Sequence, residues 1–84
     1  MKSFKIYTEN LNENKIKELL SISFDGFTII HTKGYWKSKE EDSLIVEILT
    51  ENETLIKAIA QAIKGFNKQD AVLVTSQSVD CELV

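Results

Sequence analysis

His31 and Cys81 are the only histidine and the only cysteine in the chain, so any acid/base, nucleophilic or metal chemistry has to be built around single residues. A general base needs a nucleophile and an orienting acid within hydrogen-bond reach. Around His31 the sequence offers only scattered Ser and Asp side chains, so a structural or surface role is favoured over catalysis. His31 with Cys81 and Asp80 lacks the spacing of a zinc site, and no metal or cofactor is expected. Cys81 alternates with apolar neighbours and reads as a small packing residue at an interface. The run Glu40-Glu41-Asp42 is contiguous, whereas acid/base pairs need two differently buried environments and a calcium loop needs interleaved oxygens with a turning glycine. A solvated turn is the expectation for it. The three glycines, Gly26, Gly34 and Gly65, form no phosphate-binding pattern. No enzymatic activity is expected.

Two groups of residues point instead to binding. Lys33, Lys37, Lys39, Lys64 and Lys68 could converge on a small anionic ligand; the competing reading leaves them as solvated lysines that aid solubility. Tyr35 and Trp36 are adjacent, so on a strand they face opposite sides, and one of them is expected to anchor a subunit contact. The alternative places both in the core of the domain. Base stacking on an RNA-binding sheet is disfavoured, because the glycine-aromatic signature of that module is missing.

Composition bounds the class. The sequence has 84 residues, 43% hydrophobic and 27% charged, with no proline, which suits one globular domain spanning 1–84. A net charge of −3 opposes general affinity for nucleic acid. No apolar run from Met1 onward reads as a signal peptide or a membrane span, and a lone cysteine suits a reducing compartment. A cytoplasmic location without membrane contact is expected.

The elements that must position these residues follow from periodicity. Phe4 and Ile6 alternate with Lys5 and Tyr7 in a strand over Ser3–Thr8. Asn10 with Glu13 has the form of a capping box, and Ile16, Leu19, Leu20 and Phe24 make a helical stripe that Asp25-Gly26 ends. A strand over Phe27–Tyr35 and another over Leu44–Leu49 flank the polar run Lys37–Asp42, giving a hairpin with a charged tip. Thr50 with Glu53 repeats the capping pattern before a stripe of Ile56, Ile59, Ile63 and Phe66, with the exit at Gly65 and Asn67–Asp70. Ala71–Thr75 forms the last main strand, and Val79, Cys81 and Leu83 suggest an extended tail able to pair with a further edge. The order β-α-β-β-α-β predicts a ferredoxin-like α+β fold, a four-stranded antiparallel sheet with both helices on one face. Several strands carry apolar residues on both sides, such as Ile29 and Ile30. A sheet covered on one face only would alternate cleanly, so its open face is expected to be buried against another copy.

Gly34-Tyr35-Trp36-Lys37 through Leu44-Ile45-Val46-Glu47-Ile48 resembles the aromatic hairpin of CutA-type proteins, and Gly26-Phe27-Thr28-Ile29 with Lys33-Gly34-Tyr35 is similar to the corresponding strand and loop of PII signalling proteins. The resemblance implies a PII/CutA-like homotrimer whose sheets face one another, with a nucleotide held between subunits. PII proteins hold ATP or ADP with a glycine-rich loop after the second helix and with C-terminal basic residues. Here the matching segment, Gly65–Asp70, has one glycine, and no arginine lies near Leu83-Val84. The implied function is therefore a non-enzymatic module that binds or sequesters a small anionic ligand, a nucleotide among the candidates. The alternative is a protein-interaction factor, a regulator or inhibitor of the kind carried by phages or mobile elements, which grips a protein target through its hairpin tip and helix faces.

Overall fold

A computed structural model describes residues 1–84. The elements run β1 (Lys2–Glu9), α1 (Glu13–Ser23), β2 (Thr28–Trp36), β3 (Lys39–Thr50), α2 (Glu53–Asn67) and β4 (Leu73–Ser78). The strands form one antiparallel sheet in the order β2-β3-β1-β4. The fold is the ferredoxin-like α+β arrangement expected from the sequence.

Alternation along each strand decides what meets the helices. Phe4 and Ile6 of β1 and Leu44, Val46 and Ile48 of β3 are fully buried against Ile16 and Leu20 of α1 and Ile56, Ile59 and Ile63 of α2. Burying a side chain of this kind contributes about 1.5–3 kcal/mol, so the two helical stripes fix the layer order. Asn52 caps α2, its Oδ1 accepting from the Leu55 amide at 3.0 Å. The capping residue is therefore not Thr50, whose Oγ1 instead accepts from the Asn52 amide at 3.1 Å.

Two other local expectations are corrected. The cap position of α1 is Asn12 and not Asn10, and it makes no side-chain cap; its amide is engaged at the far end of α2, donating to Asn67 Oδ1 at 2.7 Å. α1 stops at Ser23 without a left-handed glycine, because the Phe24 amide still donates to Leu20 O while Phe24 itself turns extended. The exit of α2 falls in the expected polar segment Asn67–Asp70, just past Gly65. The helix runs to Asn67 and closes on Lys68 at φ 56, with Lys68 N donating to Gly65 O and Gln69 N to Lys64 O. That pair of bonds is a Schellman ending with lysine where glycine is favoured.

The expected charged tip shrinks to two residues. Lys37 and Ser38 have φ of 51 and 65, the sign pattern of a type I′ hairpin turn. Lys39–Asp42 pair with β2, so the acidic run is strand and not turn. β1 ends at Glu9, opposite Ser43. The rungs Gly34–Glu41, Tyr35–Glu40 and Trp36–Lys39 therefore project beyond β1 as a two-stranded arm. β4 occupies 73–78 in place of 71–75, and 79–84 carry no strand, although Val79 N still donates to Met1 O.

The second face of the sheet is left open by the chain itself. Ile30 pairs with Ile45, Ile45 with Tyr7, and Tyr7 with Leu73. One apolar row thus crosses all four strands on the side away from the helices. Ile30 is 43% exposed and Leu73 60%, and Leu49 on the same face is 49% exposed.

Candidate functional site

A cleft of about 590 Å³ opens where three segments meet. The end of β1 supplies Tyr7, Thr8 and Glu9, the base of the projecting arm supplies Gly34, Tyr35, Trp36 and Glu41, and the connection after α2 supplies Lys68 to Leu73. Topology brings these together: β1 lies between β3 and β4, so the β2–β3 arm and the α2–β4 connection rise on either side of its end.

The connection is held by side chains. Asn67 is 6% exposed. Its Nδ2 donates to Thr8 Oγ1 at 3.1 Å, to Glu9 O at 3.3 Å and to Gln69 Oε1 at 2.8 Å. The Thr8 hydroxyl donates to the same Gln69 Oε1 at 2.5 Å, and Gln69 Nε2 donates to Ala71 O at 3.4 Å. No buried side-chain polar atom is left without a partner, as the cost of an unmade buried hydrogen bond demands.

Of the five lysines singled out from the sequence, only Lys68 lines the cleft. Lys33 is committed elsewhere: its Nζ lies 2.6 Å from Asp42 Oδ1. That hydrogen bond raises the ammonium's pKa above its ordinary value and holds the Asp42 carboxyl below its own. Lys37 Nζ lies 5.9 Å from the Trp36 ring centroid, within cation–π range. Lys39 pairs with Trp36 across the hairpin, and Lys64 sits in the last turn of α2. Within one chain the cleft therefore carries Glu9, Glu41 and Asp70 against Lys68. Burial, and then the neighbouring Glu9 carboxylate, push the Glu41 carboxyl up from its usual range.

Tyr35 and Trp36 both border the cleft, and neither fills the core. They are 73% and 55% exposed, and Tyr35 Oη donates to Glu40 Oε1 at 2.8 Å. His31 meets Glu13 of α1, Nε2 to Oε1 2.8 Å, away from the cleft. The hydrogen bond from His31, followed by that from Lys17, lowers the Glu13 pKa. Cys81 is exposed in the single chain. No three His, Cys, Asp or Glu side chains converge as metal ligands, and no helix is long and apolar enough to cross a membrane.

The reading from sequence missed Thr8, Glu9, Asn67 and Gln69. Asn67 and Gln69 stood only as polar residues after a helix, and no spacing announces that Thr8, on another element, would meet them.

No family model matches the chain, and no curated protein does. Solved structures do match. A nitrogen regulatory PII-like protein, CPII, from Thiomonas intermedia K12, determined with ADP, AMP and bicarbonate, superposes with a TM-score of 0.71 at 15% identity, covering 99% of this chain and 93% of that one. A DUF3240 family protein from Shewanella baltica OS155 superposes with a TM-score of 0.73 at 14% identity over the same shares. At these identities the likeness concerns the path of the backbone: the chain has the fold of PII-like proteins.

Proposed function

We propose that residues 1–84 form one domain of a non-enzymatic, self-associating ligand-binding module of the PII/CutA-like kind, a homotrimer of the cytoplasm that takes a small anionic ligand, a nucleotide among the candidates, between subunits. One observation carries this reading. Tyr7 and Leu73 belong both to the uncovered apolar row and to the cleft wall, so a second copy packed on the open face would also border the cleft. Association removes that row from water, where exposed apolar area costs about 25 cal/mol per Å². It also answers the charge problem. A single chain offers Lys68 against three carboxylates, and an anion needs further lysines, for which Lys37, Lys39 and Lys64 of a neighbouring copy are the candidates. The binding of ADP, AMP and bicarbonate by the fold relative from Thiomonas intermedia supports trying those ligands first.

A mass measurement in solution, coupled to a thermal-shift screen, tests both halves. The expected result is a mass about three times the 9.6 kDa of one chain and a melting point that rises with ligand concentration as RT ln(1 + [L]/Kd). A monomer at micromolar concentration removes the trimer, and no shift with nucleotides or bicarbonate removes the anion.

The projecting arm favours a second reading, a protein-interaction factor. Its rungs extend past β1 and present Tyr35 and Trp36 to solvent, and exposed aromatics of this kind dominate protein contacts. Silence in the ligand screen, with capture of a specific protein lost on removing the arm's aromatics, would favour it.

A further inference from the structure

We infer that Asn67 is a positioning residue for the cleft: through Thr8 and Gln69 it holds the wall formed by Lys68 to Val72 in the shape a ligand meets. The inference rests on the ligand-binding reading of the cleft, and its local consequence is measurable without any ligand. Between the end of α2 and the start of β4 the backbone runs without helix or strand. The amides of Lys68 and Gln69 are spent on closing the helix. What ties the run to the body is the amide of Asn67, which reaches Thr8 Oγ1, Glu9 O and Gln69 Oε1 from one nitrogen. Its carbonyl accepts from Asn12 Nδ2, so the start of α1, the end of α2 and the end of β1 are joined at one side chain. Gln69 passes the constraint onward to Ala71 O.

The left-handed Lys68 directly follows Asn67. A lysine in that conformation is uncommon; here the two closing backbone bonds set it, and the side-chain network of Asn67 and Gln69 flanks it on either side. Lys68 is also the one cleft lysine, so the network aims the only cationic side chain the chain offers there. Buried networks of this sort are cooperative, and losing one member leaves the others unpaired. Thr8 is 4% exposed, so water cannot readily replace the missing partner.

Amide hydrogen exchange on Asn67→Leu, Thr8→Val and the conservative Thr8→Ser tests this. Asn67→Leu and Thr8→Val remove hydrogen bonds at similar volume, while Thr8→Ser keeps the hydroxyl. The expected result is exchange of the Lys68 and Gln69 amides, the hydrogen-bonded ones in the run, about ten-fold faster in the first two variants, with protection of the β1–β3 core unchanged. Thr8→Ser should match the parent. Unchanged exchange at the Lys68 and Gln69 amides overturns the inference, and so does an increase spread evenly over the chain, which is the mark of lost global stability alone. Should Asn67→Leu fail to fold, Thr8→Val against Thr8→Ser decides. Titration of ADP into the same proteins separates this inference from the functional reading. Where the parent binds ADP, affinity should fall about ten-fold in Thr8→Val and hold in Thr8→Ser, a loss of about 1.4 kcal/mol; equal affinities overturn the inference. Failure of ADP to bind the parent counts against the nucleotide reading and leaves the exchange result to decide the role of Asn67.

Discussion

A methyl group placed on Gly34 of β2 would come within 2.6 Å of the Ser43 Oγ on β3. The two residues lie on neighbouring strands where the arm leaves the sheet, and Gly34 also borders the cleft. Gly34→Ala should therefore force Ser43 Oγ to another rotamer and cost about 1 kcal/mol. In a Ser43→Ala background the Cβ contact at 3.4 Å and the Glu41 Cγ contact at 3.9 Å remain, both ordinary, and the cost should shrink. Urea denaturation of the four proteins checks this as a double-mutant cycle, with a coupling of about 0.5 kcal/mol or more expected. A coupling near zero would show that the side chains do not compete for that space.

Lys37, Ser38 and Lys68 are the non-glycine residues with positive φ. Each left-handed conformation costs a side-chain-bearing residue about 1–2 kcal/mol, part of which glycine returns through the greater freedom of its unfolded chain. Replacing Lys37-Ser38 by Asn-Gly should raise stability by about 1 kcal/mol, measured by chemical denaturation. Lys68→Gly should be stabilising by about 0.5–1 kcal/mol while weakening any anion held in the cleft. Stability and binding moving in opposite directions at Lys68 is the expected signature.

The apolar row Ile30–Ile45–Tyr7–Leu73 predicts how assembly fails. Ile30 and Leu73 are substantially exposed in one chain, so Ile30→Asp and Leu73→Lys should alter the stability of an isolated chain by only about 0.5 kcal/mol. A charge buried unpaired in an interface costs several kcal/mol, as when a buried pair loses a member at about 3–5 kcal/mol. Light scattering should then report the single-chain mass, with the circular dichroism of the fold retained. Trp36→Ala should weaken assembly by about 2–4 kcal/mol if the ring is an anchor. Its unchanged mass would assign Trp36 to the cleft alone.

Titration should divide the carboxylates into two groups. Glu13, beside His31 and Lys17, and Asp42, beside Lys33, have lowered pKa values. Their contribution is complete above the unfolded carboxylate range and is lost as pH falls through their depressed values. Lys33, raised by Asp42, contributes below the ordinary lysine range and loses that contribution as pH rises through its elevated value. Glu41 has the opposite sign to Glu13 and Asp42. Its raised pKa, from burial and the proximity of Glu9, means that its ionised form opposes folding at neutral pH, and the penalty fades as pH falls. Glu41→Gln should raise the melting temperature near neutrality, with the gain vanishing by about pH 4. A gain that persists in acid would assign the effect to packing.

The order of elements and the face each helix buries were legible in the sequence because they depend on local periodicity. Phe4 with Ile6, and Ile56 with Ile59 and Ile63, state by spacing alone which side turns inward. The apolar character of both sides of the strands, Ile29 beside Ile30, likewise announced a face that two helices would not cover. Tertiary structure decided the rest. Whether Lys33 serves a ligand or Asp42 depends on the hairpin register, which sets Lys33 opposite Asp42; a shift by one residue would have freed it. The polar segment Asn67–Asp70 announced the end of α2, but not that the Asn67 amide would meet Thr8 and Glu9, residues far away in sequence. Periodicity reports which way a side chain points. Only the folded chain settles what it meets there, since hydrogen bonds and ion pairs form between groups whose separation along the sequence carries no signal.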